Sequence, residues 1–235
     1  MRHKSVGWIV PLVAAMTFAP AAGAANPLVE VPTDYAATPA HSYAGMDAEP
    51  CYQMLDDRAI PYERASSGPL VEAPVQLTGP LHGVTFKHLH PRASGAVLDC
   101  RLLLALDDFA ALLRAHQVTE VGYVAAFRPD HSGKAKPGQR HPAGLAMDIA
   151  WFRQEDGQQL GMEKDYEGRV GAKTCGRRAQ EPAPGNEHAS TLRKLVCDTG
   201  KARLFNLLLT PNYDIDHRDH MHVEVRRNIH WFLVQ

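Results

Sequence analysis

The 235-residue chain has no block of lysine and arginine: 25 basic side chains are spread against 26 acidic ones, for a formal net charge of −1. A surface that holds a nucleic-acid backbone needs a basic stripe, so nucleic acid is not an expected partner. Also missing is an uninterrupted apolar run of the ~20 residues that a membrane-spanning helix needs. The apolar stretch of MRHKSVGWIVPLVAAMTFAPAAGAAN follows Arg2 and Lys4, is broken by Pro11, and closes on Ala22-Gly23-Ala24. That layout is a secretory signal peptide rather than an anchor. Residues 1–24 are therefore expected to be removed, leaving an exported protein, periplasmic or extracellular, with no stable membrane anchor. Cysteine is scarce, at four residues, and none of the four has the close pair spacing of a zinc knuckle. In an oxidising compartment an even number reads as disulfides. Of the possible pairings, Cys51–Cys100 and Cys175–Cys197 is the more local and is the one expected. Neither an internal repeat nor a repeated βαβ rhythm is present, which excludes solenoids and doubly wound sheets and points to an α+β fold.

What is present is organised in pieces. Residues 25–48, rich in Pro, Ala and small polar residues without a sustained period, read as a linker, and residues 49–235 as the folded domain. Glu49 to Arg58 suits a short helix, and PVQL and GVTFKH between Val71 and His88 suit short strands. From Asp99 to His116 the apolar residues Leu102, Leu106, Phe109 and Leu113 recur at helical spacing behind a plausible N-cap, Asp99. That stripe is a core face. VGYVAAF (121–127) and LAMDIAWF (145–152) read as strands, 153–189 as irregular, Thr191–Asp198 and Ala202–Leu209 as two helices, and His222–Val225 as a last strand.

Chemistry concentrates in two segments, HPAGLAMD (141–148) and DHRDHMHVEV (216–225). Asp148 lies in a strand of almost wholly apolar neighbours, where an ionised carboxylate is costly unless a positive charge pairs with it. Period 2 places it on a face with Ala146 and Ala150, which leaves room for an ion. The same period puts His220 and His222 on one face. His141, Asp148 and one of those two histidines would supply three N and O ligands and leave a fourth position open, the arrangement of catalytic zinc, with one Zn2+ per chain. Arg128, in AAFRPD, is either a surface or ion-paired arginine or a clamp for a substrate carboxylate, which guanidinium geometry suits. A lone H-x-H is weak, as His88-Leu89-His90 shows. The signal is H-x6-D followed about seventy residues later by H-x2-H-x-H.

These residues, with the CRLLLALDDF helix and the early cysteine, carry a resemblance. From Glu49 to Arg226 the chain resembles the bacterial extensin-like C-terminal domain family, within the wider group of lysostaphin, D-Ala-D-Ala metallopeptidases and hedgehog proteins. The H-x2-H-x-H form is similar to that of penicillin-insensitive murein endopeptidase. The resemblance implies His141, Asp148 and His222 as zinc ligands, with His220 and His217 as non-ligand catalytic histidines. It further implies a small, mostly antiparallel sheet with flanking helices and a zinc cleft on the sheet. The expected activity is that of a secreted zinc peptidase or amidase, of D,D-carboxypeptidase or endopeptidase type. It would cut peptidoglycan peptides, or other peptides containing D-amino acids, through a zinc-activated water. The alternative is a non-catalytic, zinc-stabilised module that binds cell wall.

Overall fold

The computed structural model describes residues 29–66, 70–90, 96–130, 133–134 and 140–235. The expected signal peptide lies outside them. In chain order the elements are β1 (Val29–Glu30), α1 (Pro39–Ala44), α2 (Ala48–Asp57), β2 (Tyr62–Arg64), β3 (Pro74–Leu77), β4 (Thr85–His88) and β5 (Val97–Asp99). They continue with α3 (Cys100–Ala115), β6 (Val118–Ala125), β7 (Ala146–Gln154), β8 (Gln159–Gly161), α4 (Met162–Asp165), α5 (Glu187–Ala202), β9 (Leu207–Leu209), β10 (Met221–Glu224) and β11 (Phe232–Val234). The class is α+β, as expected. Among the described residues no helix is long and apolar enough to cross a membrane.

Helix α3 forms where the leucine stripe predicts it. The Asp99 carboxylate accepts the Arg101 backbone N–H at 3.1 Å, filling one of the orphan donors of the first turn. Leu102, Leu106, Phe109 and Leu113 are fully buried. Phe109 meets Phe152 of β7 and Phe205 edge-on, at centroid distances of 6.4 and 5.6 Å, so the helix is packed against the main sheet. Burying each such side chain stabilises the fold by roughly 1.5–3 kcal/mol.

The sheet is larger than the small one expected. Eight strands run in the order β1-β11-β9-β10-β7-β6-β4, with β8 beside β7, and a second sheet of three strands runs β2-β3-β5. Most pairings are antiparallel; β11 with β9 and β4 with β6 are parallel. Cys51 of α2 is bonded to Cys100 at the start of α3, and Cys175 to Cys197 of α5, the pairing expected.

Three expectations need correction. From Val29 onward the segment read as a linker is folded onto the domain. Strand β1 pairs with β11, Thr38 caps α1, and Tyr35 packs on Phe232 while its hydroxyl accepts from Asn206 at 2.8 Å. Elements this short are held by partners far along the chain, so they leave no period of their own. A helix over 202–209 is not found either. One helix, α5, runs to Ala202 and ends with Arg203 at φ 52°, and Leu207–Leu209 become β9, hydrogen-bonded on both sides. Three consecutive buried leucines suit either a helix or a central strand, and periodicity cannot separate the two. The stretch 153–189 also holds the end of β7, β8 and α4.

Candidate metal centre

Strands β7 and β10 are antiparallel neighbours, and their register sets His222 directly opposite Asp148. Side chains opposite each other on adjacent strands touch, so two residues distant in sequence become a pair. The histidine of the other segment arrives from a 3-10 turn, His141–Ala143, that leads into β7. All three side chains are buried, and one ligand atom from each lies within 4.8 Å of the others. His222 Nδ1 is 2.9 Å and His141 Nε2 3.2 Å from Asp148 Oδ1.

The hydrogen bonds on the outer sides of the rings decide what faces inward. His141 Nδ1 lies 2.7 Å from the Ala126 carbonyl, which can only accept, so the proton sits on Nδ1 and the Nε2 lone pair points to Asp148. His222 lies between two carboxylates, Nδ1 2.9 Å from Asp148 Oδ1 and Nε2 3.4 Å from Glu224 Oε2, so with a cation on the Asp148 side its proton belongs on Nε2 and its Nδ1 lone pair faces inward. Two imidazole lone pairs and a carboxylate then converge on one point. They repel unless a proton or a cation lies between them. Two neutral imidazoles and one carboxylate are a donor set that fits zinc and leaves a position for a further ligand.

Electrostatics agree with that charge demand. Burial acts to raise the Asp148 pKa, yet with no cation between them protons on the facing nitrogens of His141 and His222 bond to it and hold it well below the usual carboxylate range. For His222, burial acts to lower the pKa, but the Asp148 and Glu224 carboxylates raise it above the ordinary histidine value.

The other predicted residues gather here too. His220 precedes β10 rather than lying on it, with Nε2 3.5 Å from Asp148 Oδ1 and Nδ1 2.8 Å from Asp219 Oδ1. His217 sits in a 3-10 turn with Nδ1 2.6 Å from Asp214 Oδ1, its ring 5.1 Å from that of His220 and 5.9 Å from that of His222. Arg128 places Nη2 2.5 Å from Asp148 Oδ2 while its side chain stays 58% exposed. It is therefore ion-paired at the rim of the site. His88, the last residue of β4, contacts the rings of His90 and Tyr123, as a strand end should.

Sequence reasoning did not single out Asp214, Asp219 or Glu224, the carboxylates behind the three histidines of DHRDHMHVEV. The signal for Glu224 was period 2 counted onward from His222; Asp214 and Asp219 are readable only once the turn geometry is known.

The turn carrying His141 depends on Gly144, at φ 67°, whose carbonyl accepts from Asp99 N at 2.9 Å. A Cβ there would meet Asp99 N at 2.7 Å. Gly144→Ala is expected to lose about 1–2 kcal/mol from the left-handed backbone alone, and more from the clash. Thermal melting checks the loss. Unchanged stability would mean that the turn is not docked against α3.

Comparison with known proteins adds one positive finding. No curated protein and no solved structure matches the chain. The family model described as extensin-like protein C-terminus matches residues 51–233, a span containing both disulfides and every residue of this site. The chain therefore belongs to the extensin-like C-terminal family.

Proposed function

We propose that this protein is an exported zinc-dependent peptidase or amidase whose zinc cleft, on the face of the main sheet, takes peptidoglycan peptides or other peptides containing D-amino acids. The carrying observation is the buried group His141, Asp148 and His222, with ligand atoms within 4.8 Å. Three protein ligands, rather than the four of a structural site, leave a position for chemistry. Bound zinc supplies Lewis acidity, which polarises a carbonyl and makes water acidic enough, at a pKa of about 7, to be a nucleophile near neutrality.

The remaining work falls to this chain's own side chains. The Asp219 carboxylate beside His220 Nδ1 keeps a proton there and leaves Nε2, on the Asp148 side, free to take a proton and later return it. The Asp214–His217 pair repeats the arrangement one turn earlier. Arg128 uses one guanidinium nitrogen on Asp148 and presents its exposed donors to a substrate carboxylate. The two disulfides favour an oxidising compartment, in keeping with export.

The test is metal analysis followed by digestion of purified sacculi, with products identified by mass spectrometry. One zinc per chain and released peptide fragments are expected. Zinc without cleavage of sacculi or short D-amino-acid peptides would make the chain a zinc-stabilised wall-binding module, and no zinc after reconstitution would overturn both readings.

Dependence on pH gives a second check. The raised His222 stabilises the metal-free fold fully below its unfolded value of 6.5, and that contribution is lost as pH rises through the higher folded value. The depressed Asp148 contributes above its unfolded value of 3.8 and loses that contribution as pH falls through the lower folded value. Zinc works against the first trend, because it needs the His222 Nδ1 lone pair bare. Chelated protein is therefore expected to melt higher at about pH 5.5 than at about pH 8.5, while the added stability from zinc shrinks over the same interval toward acid. A zinc increment equal at both pH values would argue against a histidine-held ion.

A further inference from the structure

Glu224 is completely buried on β10, two residues beyond His222 and on the same face of the strand. A buried carboxylate is costly unless its oxygens are bonded, and one of the groups that face it is the His222 ring. Its two oxygens divide their bonds. Oε2 faces His222 Nε2 at 3.4 Å, and Oε1 accepts the backbone N–H of Arg140 at 3.3 Å. Arg140 immediately precedes His141 and is held at φ 58°, in the left-handed region that a non-glycine residue occupies only when its surroundings impose it. One side chain thus reaches the outer nitrogen of one histidine and the backbone that delivers the other. Arg128 N, donating to the His141 carbonyl at 3.4 Å, closes the opposite side of that turn.

We propose that Glu224 is a positioning residue of the metal centre, which sets the His222 ring with its proton on Nε2 and its lone pair on Nδ1, and locks the Arg140–His141 turn so that both histidines face one point. This rests on the zinc reading above. Both bonds to Glu224 are accepted, which a carboxylate does with either oxygen and an amide with one only. In Glu224→Gln one partner must face the amide NH2. If that partner is His222, the ring is driven to carry its proton on Nδ1, where it cannot ligate. If it is Arg140, the turn loosens. Either way the metal loses a ligand's orientation, although the core is almost unchanged in shape and has one buried charge fewer.

The experiment compares wild type, Glu224→Gln and His222→Ala in zinc affinity by chelator competition, in melting with and without chelator, and in the ring N–H proton resonance of zinc-loaded His222. For Glu224→Gln, zinc affinity is expected to fall about 10- to 100-fold, the range for removing a partner that orients a metal ligand. The chelated melting temperature should stay near that of wild type, and the His222 Nε2–H resonance should move upfield as a carboxylate acceptor is replaced. Should the Gln variant fail to fold, Glu224→Asp, which keeps the charge but withdraws it by one methylene, is expected to fold and show the same loss of affinity. If wild type binds zinc and His222→Ala does not, yet the Glu224 variant binds as tightly as wild type with an unmoved resonance, this proposal fails and the zinc reading stands. A large drop in chelated melting temperature with unchanged zinc affinity would likewise make Glu224 a structural residue. If wild type and His222→Ala bind zinc equally poorly, the zinc reading itself falls.

Discussion

His220→Ala is expected to retain one zinc per chain and to lose about 10²- to 10⁴-fold in turnover, the usual contribution of general acid–base catalysis. His222→Ala is expected to lose the metal. The difference lies in which atoms each ring presents. His222 is buried, faces Asp148 at 2.9 Å through Nδ1, and is braced from behind by Glu224. His220 is farther out, 3.5 Å from the same carboxylate oxygen, and is held at its other nitrogen by the half-exposed Asp219. On the function proposed above it would exchange a proton with substrate or water rather than complete the ligand set. His217, one turn earlier with Asp214 behind it, should show a smaller loss. Zinc content and rate, measured on each variant, decide the matter. Were His220→Ala to empty the site while His222→Ala left it full, the roles would be exchanged; if neither His220→Ala nor His217→Ala changed the rate, histidine acid–base catalysis would be the wrong mechanism.

Arg101→Ala is expected to lose about 3–5 kcal/mol of stability, the cost of stranding one partner of a buried ion pair. Arg101 is among the largest fully buried side chains. Its Nη1 donates to both Asp99 oxygens at 2.9 and 3.0 Å, its Nη2 to Glu72 at 3.0 Å, and its Nε to the Met46 carbonyl at 2.8 Å. Asp99 is as deeply buried; burial pushes its pKa up even though Arg101 and two backbone N–H groups oppose the shift. Alanine would leave that carboxylate without its cation. The loss should reach the candidate metal centre, because Asp99 N also holds the Gly144 carbonyl of the His141 turn. For a chain of this size each kcal/mol moves the melting temperature by about 2–4 °C. The double variant Asp99→Asn with Arg101→Met is expected to recover much of the loss, since asparagine still caps α3 and carries no charge. Denaturant unfolding measures both. A single variant within 1 kcal/mol of wild type, on the scale of ~0–1 kcal/mol for an exposed pair, would show that this pair behaves as a surface one.

Local features were legible in the sequence. The Asp99 cap and the leucine stripe of α3 and the strands around Val121 and Asp148 follow from rules that act over a turn or a pleat. So does the suspicion attached to Asp148, because a carboxylate in an apolar run demands a cation wherever the strand goes. The disulfide pairing, across 49 and 22 residues, was only the more local of the possible choices. The choice of partners was different. His222 stands opposite Asp148 because of the β7–β10 register, which joins residues 74 positions apart. Counting along the chain cannot supply that register, since a slip of one residue would turn every side chain to the other face. The same holds for β9, whose leucines fit a helix as well as a strand until β10 and β11 bond to it, and for residues 29–44, which are ordered by Phe232 and Asn206 at the far end of the chain. Arg128 had two open readings, and only the folded chain placed its guanidinium on Asp148. Sequence alone determined which residues could carry the chemistry, because residue type and short-range period are local. Tertiary structure decided which of them meet, because pairing across a sheet and the burial that orients each imidazole are settled by contacts between distant segments.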